Sequence, residues 1–354
     1  AGTPVAGFPV MWRDEIRSLA SAPLLGVELS AEGQVRALHG QPPASSAGAA
    51  SAMTSAAEAT DPGTACILHT SGSSGEPKPI AIRWAGLDAF SAWMMTLTRL
   101  RPGERVLRSA ELVFDLAWFD HLSSWRSGAT LCTMPRRDLC TGRSLAARLA
   151  ELVPTVIYGV PALFTKLLAA TPKGARLDPR LHTLCFAGEV FPARALRELA
   201  DRAPTARLFN LFGPTETNVC TFHEVDRTRL DGESELPIGR PVPYACCHLV
   251  DEAGSTLLGE GSGELVVTGP TCVAGRVATG DRVERRHDGL FYFRGRLDRM
   301  TKIRGFRVEP GDIEAHLTSH PAVREAAVTV RDDPRLGKIL LAFVAPSPGE
   351  PTPS

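Results

Sequence analysis

The sequence predicts an α/β protein with a largely parallel sheet, joined to a small β-rich unit and a short α+β piece. Three observations carry this. From Cys66 to about residue 220, short apolar runs alternate with helix-length stretches, the rhythm of β-α units whose strands lie parallel. Beyond residue 236 the pattern changes to brief β-like segments divided by turn residues, as in an antiparallel or barrel-like unit. And 44% of the 354 residues are apolar, enough to bury a sizeable core in two or three compact units.

In chain order, residues 1–60 form an N-terminal piece and linker. The run QPPASSAGAASAMTSAAEATDPG over 41–63 lacks large apolar side chains and reads as a loose connection. The α/β unit occupies 61–235: a strand in ACILHT, a glycine loop, a helix over Ala85 to Leu100, then RVLRSAEL, GATLCTM, PTVIYGVP and RLHTLCFAG as strands with helices between them. The small β unit occupies 236–297 and includes CCHLVDEAG, GELVVTGP and GLFYFRG. The last unit, 298–354, holds RGFRVEP, a helix beginning near Gly311 and AAVTVRDD, and ends in APSPGEPTPS, the composition of a solvated tail.

Lys+Arg and Asp+Glu both number 39, so no global field favours nucleic acid or an anionic membrane. No stretch approaches the roughly 20 apolar residues of a membrane span, and the N-terminus lacks a signal-peptide core, so a cytoplasmic location is expected. The eight cysteines lack CxxC spacing and several lie in apolar runs, which favours buried reduced thiols over disulfides or zinc.

Four segments carry chemistry. His69 to Lys78, HTSGSSGEPK, follows an apolar strand. Its small hydroxyl and glycine residues let backbone N–H groups close on phosphate oxygens, and a lysine adds positive charge. It is not a Walker loop, since Gly75 is followed by Glu76. Asn210 to Thr217, NLFGPTET, again follows a strand and sets an aromatic ring, a hydroxyl and a carboxylate at the edge where open α/β sheets bind ligands. Thr279-Gly280-Asp281 offers a carboxylate to a ribose diol. Gly295 to Glu314 is long, charged and punctuated by glycine. Each segment alone also reads as an ordinary surface turn or hairpin.

Together and in this order, over about Ala65 to Val344, they resemble the core motifs of the adenylate-forming superfamily: acyl-CoA synthetases, luciferases and the adenylation domains of nonribosomal peptide synthesis. The resemblance implies ATP and Mg²⁺ as cofactors. It sets the phosphate loop on Thr70, Ser71, Gly72, Ser73, Ser74, Gly75 and Lys78, the adenine-stacking ring on Phe212 beside Asn210 and Gly188, Thr215 at the α-phosphate and Glu216 on magnesium. Asp281 then takes the ribose hydroxyls, Arg296 the ribose or phosphate, and Asp298 the hinge of a rotating C-terminal subdomain.

Phe114-Asp115 resembles the segment whose aspartate binds a substrate ammonium in amino-acid-activating members. A helix-capping role for Asp115, or Asp120 as the amine ligand, are the alternatives. By the same resemblance the substrate pocket is lined by Asp115, Leu116, Phe119, Tyr158, Cys185, Ala187, Leu211, Val219 and Cys220. These are small or apolar apart from the aspartate and one phenol, so charged and amide substrates are excluded. The set looks most like that of stand-alone prolyl adenylating ligases.

The expectation is therefore ATP-dependent activation of a small apolar amino acid, L-proline first, as its aminoacyl-AMP, with transfer to the phosphopantetheine thiol of a carrier protein. An acyl- or aryl-CoA synthetase and a non-catalytic nucleotide-binding relative are the other readings. Two departures stand out: only 69 residues precede Thr70, and the chain stops before the family's bridging lysine, for which Lys338 is too early. Lys302 and Arg307 are the substitute cations to consider.

Overall fold

The computed structural model describes residues 26–29, 35–38, 63–70, 78–112, 114–230, 235–298, 300–303, 306–308, 310–320, 322–333 and 337–346. Two short strands, β1 (Gly26–Leu29) and β2 (Val35–Leu38), pair antiparallel. Next, β3 (Thr64–Thr70) and β4 (Lys78–Arg83) form an antiparallel hairpin of their own, running into α1 (Trp84–Thr98). Sequence reading expected the ACILHT strand to belong to the parallel set and missed β4. The correction has a plain cause: KPIAIR opens on a lysine and a proline, which reads as loop, while its inward residues Ile80 and Ile82 pack on Leu68 and Leu87.

The central sheet has seven strands. Its parallel part is β5 (Arg105–Leu107), β6 (Thr130–Cys132), β7 (Val156–Gly159), β8 (Thr183–Ala187) and β9 (Arg207–Phe212); β10 (Thr221–Glu224) and β11 (Arg240–Pro241) close one side antiparallel. The spatial order is β11-β10-β9-β8-β7-β5-β6. Helices α2 (Ser124–Ser127), α3 (Arg136–Cys140), α4 (Gly142–Leu152), α5 (Pro161–Ala170) and α6 (Ala193–Arg202) connect the strands, and a π-helical turn covers Phe119–Ser123.

Strand alternation divides the apolar residues between two faces. Ile157, Leu184, Phe186 and Leu208 face Leu145, Phe164, Leu167 and Leu196 of α4, α5 and α6. Tyr158, Cys185, Ala187, Phe209 and Leu211 face the other way, into a core with Phe90 and Met94 of α1. That second core is completed by Leu249, Leu265 and Val283 of a five-stranded antiparallel sheet ordered β13-β12-β14-β15-β16. Its strands are β12 (Cys246–Val250), β13 (Thr256–Leu257), β14 (Gly261–Thr268), β15 (Arg276–Arg285) and β16 (Phe291–Arg296).

After it come a hairpin of β17 (Thr301–Ile303) and β18 (Phe306–Val308), helix α7 (Pro310–Thr318), and a hairpin of β19 (Val323–Asp333) and β20 (Gly337–Pro346). The expected tail begins two residues inside β20, because Ala345 and Pro346 pair with Glu325 and Val323. The linker assigned to 41–63 lies outside the described residues except Gly63, whose carbonyl accepts the Trp84 N–H at 2.9 Å. No helix among the described residues is long and apolar enough to cross a membrane.

Candidate active site

The parallel strands β7, β8 and β9 end side by side at Gly159, Ala187 and Phe212, and they carry Tyr158, Cys185, Ala187, Asn210, Leu211 and Phe212 of the expected site near those ends. Past β8 the chain leaves through Gly188, whose φ of +94° belongs to the left-handed region that favours glycine.

Between β9 and β10 the segment GPTETN makes a tight reversal. Thr217 donates its N–H to the Pro214 carbonyl at 3.0 Å, and Cys220 N–H reaches the Phe212 carbonyl at 2.8 Å. A Cβ on Gly213 would lie 1.7 Å from the Asn218 carbonyl oxygen, so only glycine fits there. Asn218 sits at φ +51° and its Oδ1 accepts the Val219 N–H at 2.6 Å, which sets Val219 and Cys220 into the core. The reversal presents Thr215 and Glu216, both half-buried.

Asp115 faces this turn. Its carboxyl bonds to the Thr215 side chain and the Leu116 N–H. Burial pushes its proton affinity up; the Lys302 charge and those hydrogen bonds pull it back, and Glu216 adds to the rise. Trp118 stands at the N-terminus of the π-helix that follows, without a side-chain cap. Asp120 is fully buried and its Oδ2 accepts the Ser109 N–H at 3.0 Å.

Phe119, Tyr158, Cys185, Ala187, Leu211, Val219 and Cys220 form part of one core cluster, with Leu116 packed against it. The Tyr158 ring stands edge-on to Phe119 at 5.6 Å. Burial and then Asp115 raise the Tyr158 phenol far above its usual range, so it stays a neutral donor. All eight side chains thus belong to, or pack against, one core cluster.

Phe212 is half-buried and its ring lies 5.8 Å from that of Phe293. Asn210 is buried, its Nδ2 donating to the Pro237 carbonyl at 2.8 Å, so its amide anchors backbone. Asp281 is 5% exposed, on the inward side of β15, a strand the sequence hid because Thr279 and Asp281 occupy core-facing places. Burial raises the Asp281 carboxyl while Arg296 and then Lys302 draw it down. Arg296 donates to Asp281 at 2.8 Å, to the Thr279 carbonyl at 2.7 Å, and through two nitrogens to Asp298 at 2.9 and 2.6 Å. Lys302, on β17, thereby bears on both Asp115 and Asp281.

Ser71, Gly72, Ser73, Ser74 and Gly75 lie outside the described residues. The strands they join bring Thr70 and Lys78 into register as partners. Lys78 is exposed and begins a strand, where sequence reading placed it on a loop. Sequence reading also missed Tyr244, which donates to the Val219 carbonyl at 2.7 Å and packs edge-on to Trp93. Its only signal was an aromatic residue in an otherwise small-residue turn.

Among the described residues no group of three or more His, Cys, Asp or Glu side chains forms a metal centre by itself. One carboxylate beside a phosphate site suits magnesium, which takes one or two carboxylates and completes its shell with phosphate and water. Glu216 fits that donor set, and the buried Asp281 fits a diol.

A model described as "AMP-binding enzyme" matches residues 18–276, and one described as "AMP-binding enzyme C-terminal domain" matches 312–354. An L-proline--[L-prolyl-carrier protein] ligase of Pseudomonas fluorescens is 38% identical over 275 residues, covering 75% of this chain and 55% of its own. Its namesake in Streptomyces coelicolor is 39% identical over 290 residues, covering 75% and 53%. The chain thus spans about half the length of these curated relatives. The Vibrio cholerae adenylation domain AlmE, solved in complex with glycyl-adenosine-5'-phosphate, superposes with a TM-score of 0.71 at 26% identity, over 79% of this chain and 57% of that one. The fold, the gathered motif residues and these matches together make the chain a member of the AMP-binding enzyme family.

Proposed function

We propose that the protein to which this chain belongs activates a small apolar amino acid, L-proline first among the candidates, as its aminoacyl-AMP and passes it to the phosphopantetheine thiol of a carrier protein. One observation carries the reading: Asp115 is held beside Thr215 and Glu216 at the mouth of an otherwise apolar wall. A carboxylate whose ionisation is opposed by burial gains a partner when a substrate ammonium arrives. The wall of Leu116, Phe119, Ala187 and Leu211 rejects charged and amide side chains, which would be buried unpaired at several kcal/mol. The prolyl and D-alanyl carrier-protein ligases among the relatives favour a carrier thiol as acceptor.

ATP, with Mg²⁺ bound, supplies the electrophilic α-phosphorus and the pyrophosphate leaving group. The side chains hold the reactants in place. Asp115 orients the amine, Thr215 stands at the α-phosphate, Glu216 holds the metal, Lys78 and Thr70 meet the outer phosphates, Asp281 and Arg296 take the ribose, and Phe212 stacks on the base. Such positioning, with charge placed where charge develops, is how this class of reaction is accelerated. No nucleophilic side chain is required, since the substrate carboxylate attacks.

ATP–pyrophosphate exchange tests the reading on a preparation containing the whole protein. Proline, alanine, valine, glycine and a β-amino acid are compared with a fatty and an aryl acid. Exchange with proline above the others supports it. A tenfold preference for another amino acid moves the specificity, and exchange confined to fatty or aryl acids overturns the amine role of Asp115.

A further inference from the structure

Three thiols, Cys220, Cys247 and Cys272, bear on the Tyr244 phenol. Two of them touch. The Cys247 Sγ lies 3.6 Å from the Cys220 carbonyl oxygen. Cys220 is fully buried; its Sγ sits 3.4 Å from the Phe212 carbonyl, and its own carbonyl accepts the Val242 N–H at 3.0 Å. Cys247 is half-exposed on β12, facing Cys220, while its neighbour Cys246 is exposed and alternates to the opposite face. The third thiol, Cys272, is held at 3.5 Å from the Val267 carbonyl and is not in contact with this pair in the same way.

We propose that Cys220 and Cys247 are a redox modification site: a dithiol that a hydroperoxide closes into a disulfide between the central sheet's reversal and the small β sheet. Cys247, the accessible member, attacks the peroxide oxygen. Its S–H and the O–O bond break, a sulfenic acid forms and an alcohol or water leaves. The Cys220 sulfur then displaces hydroxide from the sulfenic acid, giving the S–S bond and a second water once its thiol proton has gone to that leaving group. Two thiols are oxidised and one peroxide is reduced. The contact with Cys247 and burial hold the Cys220 thiol well above the ordinary thiol range, so it remains protonated and does not meet oxidant first. It acts as the resolving partner. The 3.6 Å approach of the Cys247 Sγ to the Cys220 carbonyl brings the two residues into the proximity that a disulfide needs.

The bridge has a consequence for the site. The Cys220 sulfur leaves the Phe212 carbonyl to bond with Cys247, and the stretch Val219-Cys220 moves with it. That stretch belongs to the proposed substrate wall and Phe212 carries the proposed base-stacking ring, so this part rests on the functional reading above. The oxidised protein then binds nucleotide and amino acid less well, and reduction restores it.

The test uses the full 354-residue chain treated with hydrogen peroxide, alkylated, digested without reductant and analysed by mass spectrometry. The expected result is a cross-linked peptide pair containing Cys220 and Cys247, abolished by dithiothreitol and by Cys247→Ser, and retained in Cys246→Ser. Circular dichroism melts of both variants in the reduced state check that they fold. A Cys247 that proceeds to sulfinic acid, or cross-links to any other thiol, with Cys220 still alkylatable after unfolding, overturns the proposal. In parallel, the ATP-induced rise in melting temperature is measured before and after oxidation. A several-fold smaller rise in oxidised wild type, absent in Cys247→Ser, supports the coupling to the pocket, and an unchanged rise refutes it. No ATP-induced rise in the reduced protein counts against the functional reading alone, because the cross-linked peptide is read independently of it.

Discussion

Arg296→Met tests the electrostatic heart of the site. Arg296 makes two unlike ion pairs: an inner one to Asp281, where the side chains are 12% and 6% exposed, and an outer one to Asp298, which is 48% exposed. The outer pair is screened by water and contributes about 0–1 kcal/mol. Losing the inner partner strands a buried carboxylate, which costs about 3–5 kcal/mol. Lys302 still bears on Asp281, so the lower end is expected, about 3 kcal/mol. The pH dependence has a definite sign. Asp281 titrates above the ordinary carboxylate range when folded, so its stabilising contribution is present while it is protonated and is lost as pH rises through its folded value. Without Arg296 that value climbs further. The deficit of the variant is therefore largest near neutrality and shrinks toward about pH 4, where the carboxyl is protonated in both proteins. Urea denaturation across that range measures it, and Asp281→Asn in the Arg296→Met background should recover most of the loss. A deficit below about 1 kcal/mol at neutral pH, or one that does not change with pH, refutes the reasoning.

Replacing Asp115 by Asn should not lower the melting temperature, because ionisation of that carboxylate is opposed by the fold. It should cost about 2 kcal/mol or more in amino-acid activation, at least about thirtyfold in kcat/KM, read by exchange kinetics. Glu216→Gln and Lys78→Ala should each depress adenylate formation strongly while moving stability by no more than about 0.5 kcal/mol; near-native turnover in either removes that residue from the site. Gly213→Ala forces a Cβ to within 1.7 Å of a backbone oxygen, so a loss of about 3 kcal/mol or misfolding is expected in thermal melts.

What the sequence revealed and what it hid follow from one distinction. The strands of the central sheet were legible because both faces are buried, which writes PTVIYGVP and RLHTLCFAG as near-continuous apolar runs. The GPTE reversal was legible because a glycine and a proline mark turns directly. β15 was not, although its burial alternates faithfully: Val277, Thr279, Asp281 and Val283 point inward, and two of these four are polar. A core-facing carboxylate erases the hydrophobic period at the place where function needs it. β4 vanished for a related reason, since Lys78 and Pro79 open it. Tyr244 and Asn218 escaped because they act through backbone hydrogen bonds that no composition or spacing encodes. The gathering of Phe119, Tyr158, Cys185, Leu211 and Cys220 from five segments of chain depended on a resemblance, and no local pattern would have joined them.

The charge arrangement gives the amine reading a physical logic of its own. Asp115, Glu216 and Asp281 surround the turn with three carboxylates, and the described cations bearing on them are Lys302 and Arg296. Arg296 is largely consumed by Asp281 and Asp298. Lys302 bears on both Asp115 and Asp281. A fatty or aryl acid entering this corner brings another negative charge and no positive one, so the carboxylate of Asp115 either repels it or must take up a proton. On the proposed reading, an amino acid would bring its own ammonium to Asp115 and leave Lys302 to act on the anions arriving with the nucleotide. On that reading, a substrate ammonium would relieve the cost of burying Asp115, and that residue would discriminate among acids by charge before shape is consulted.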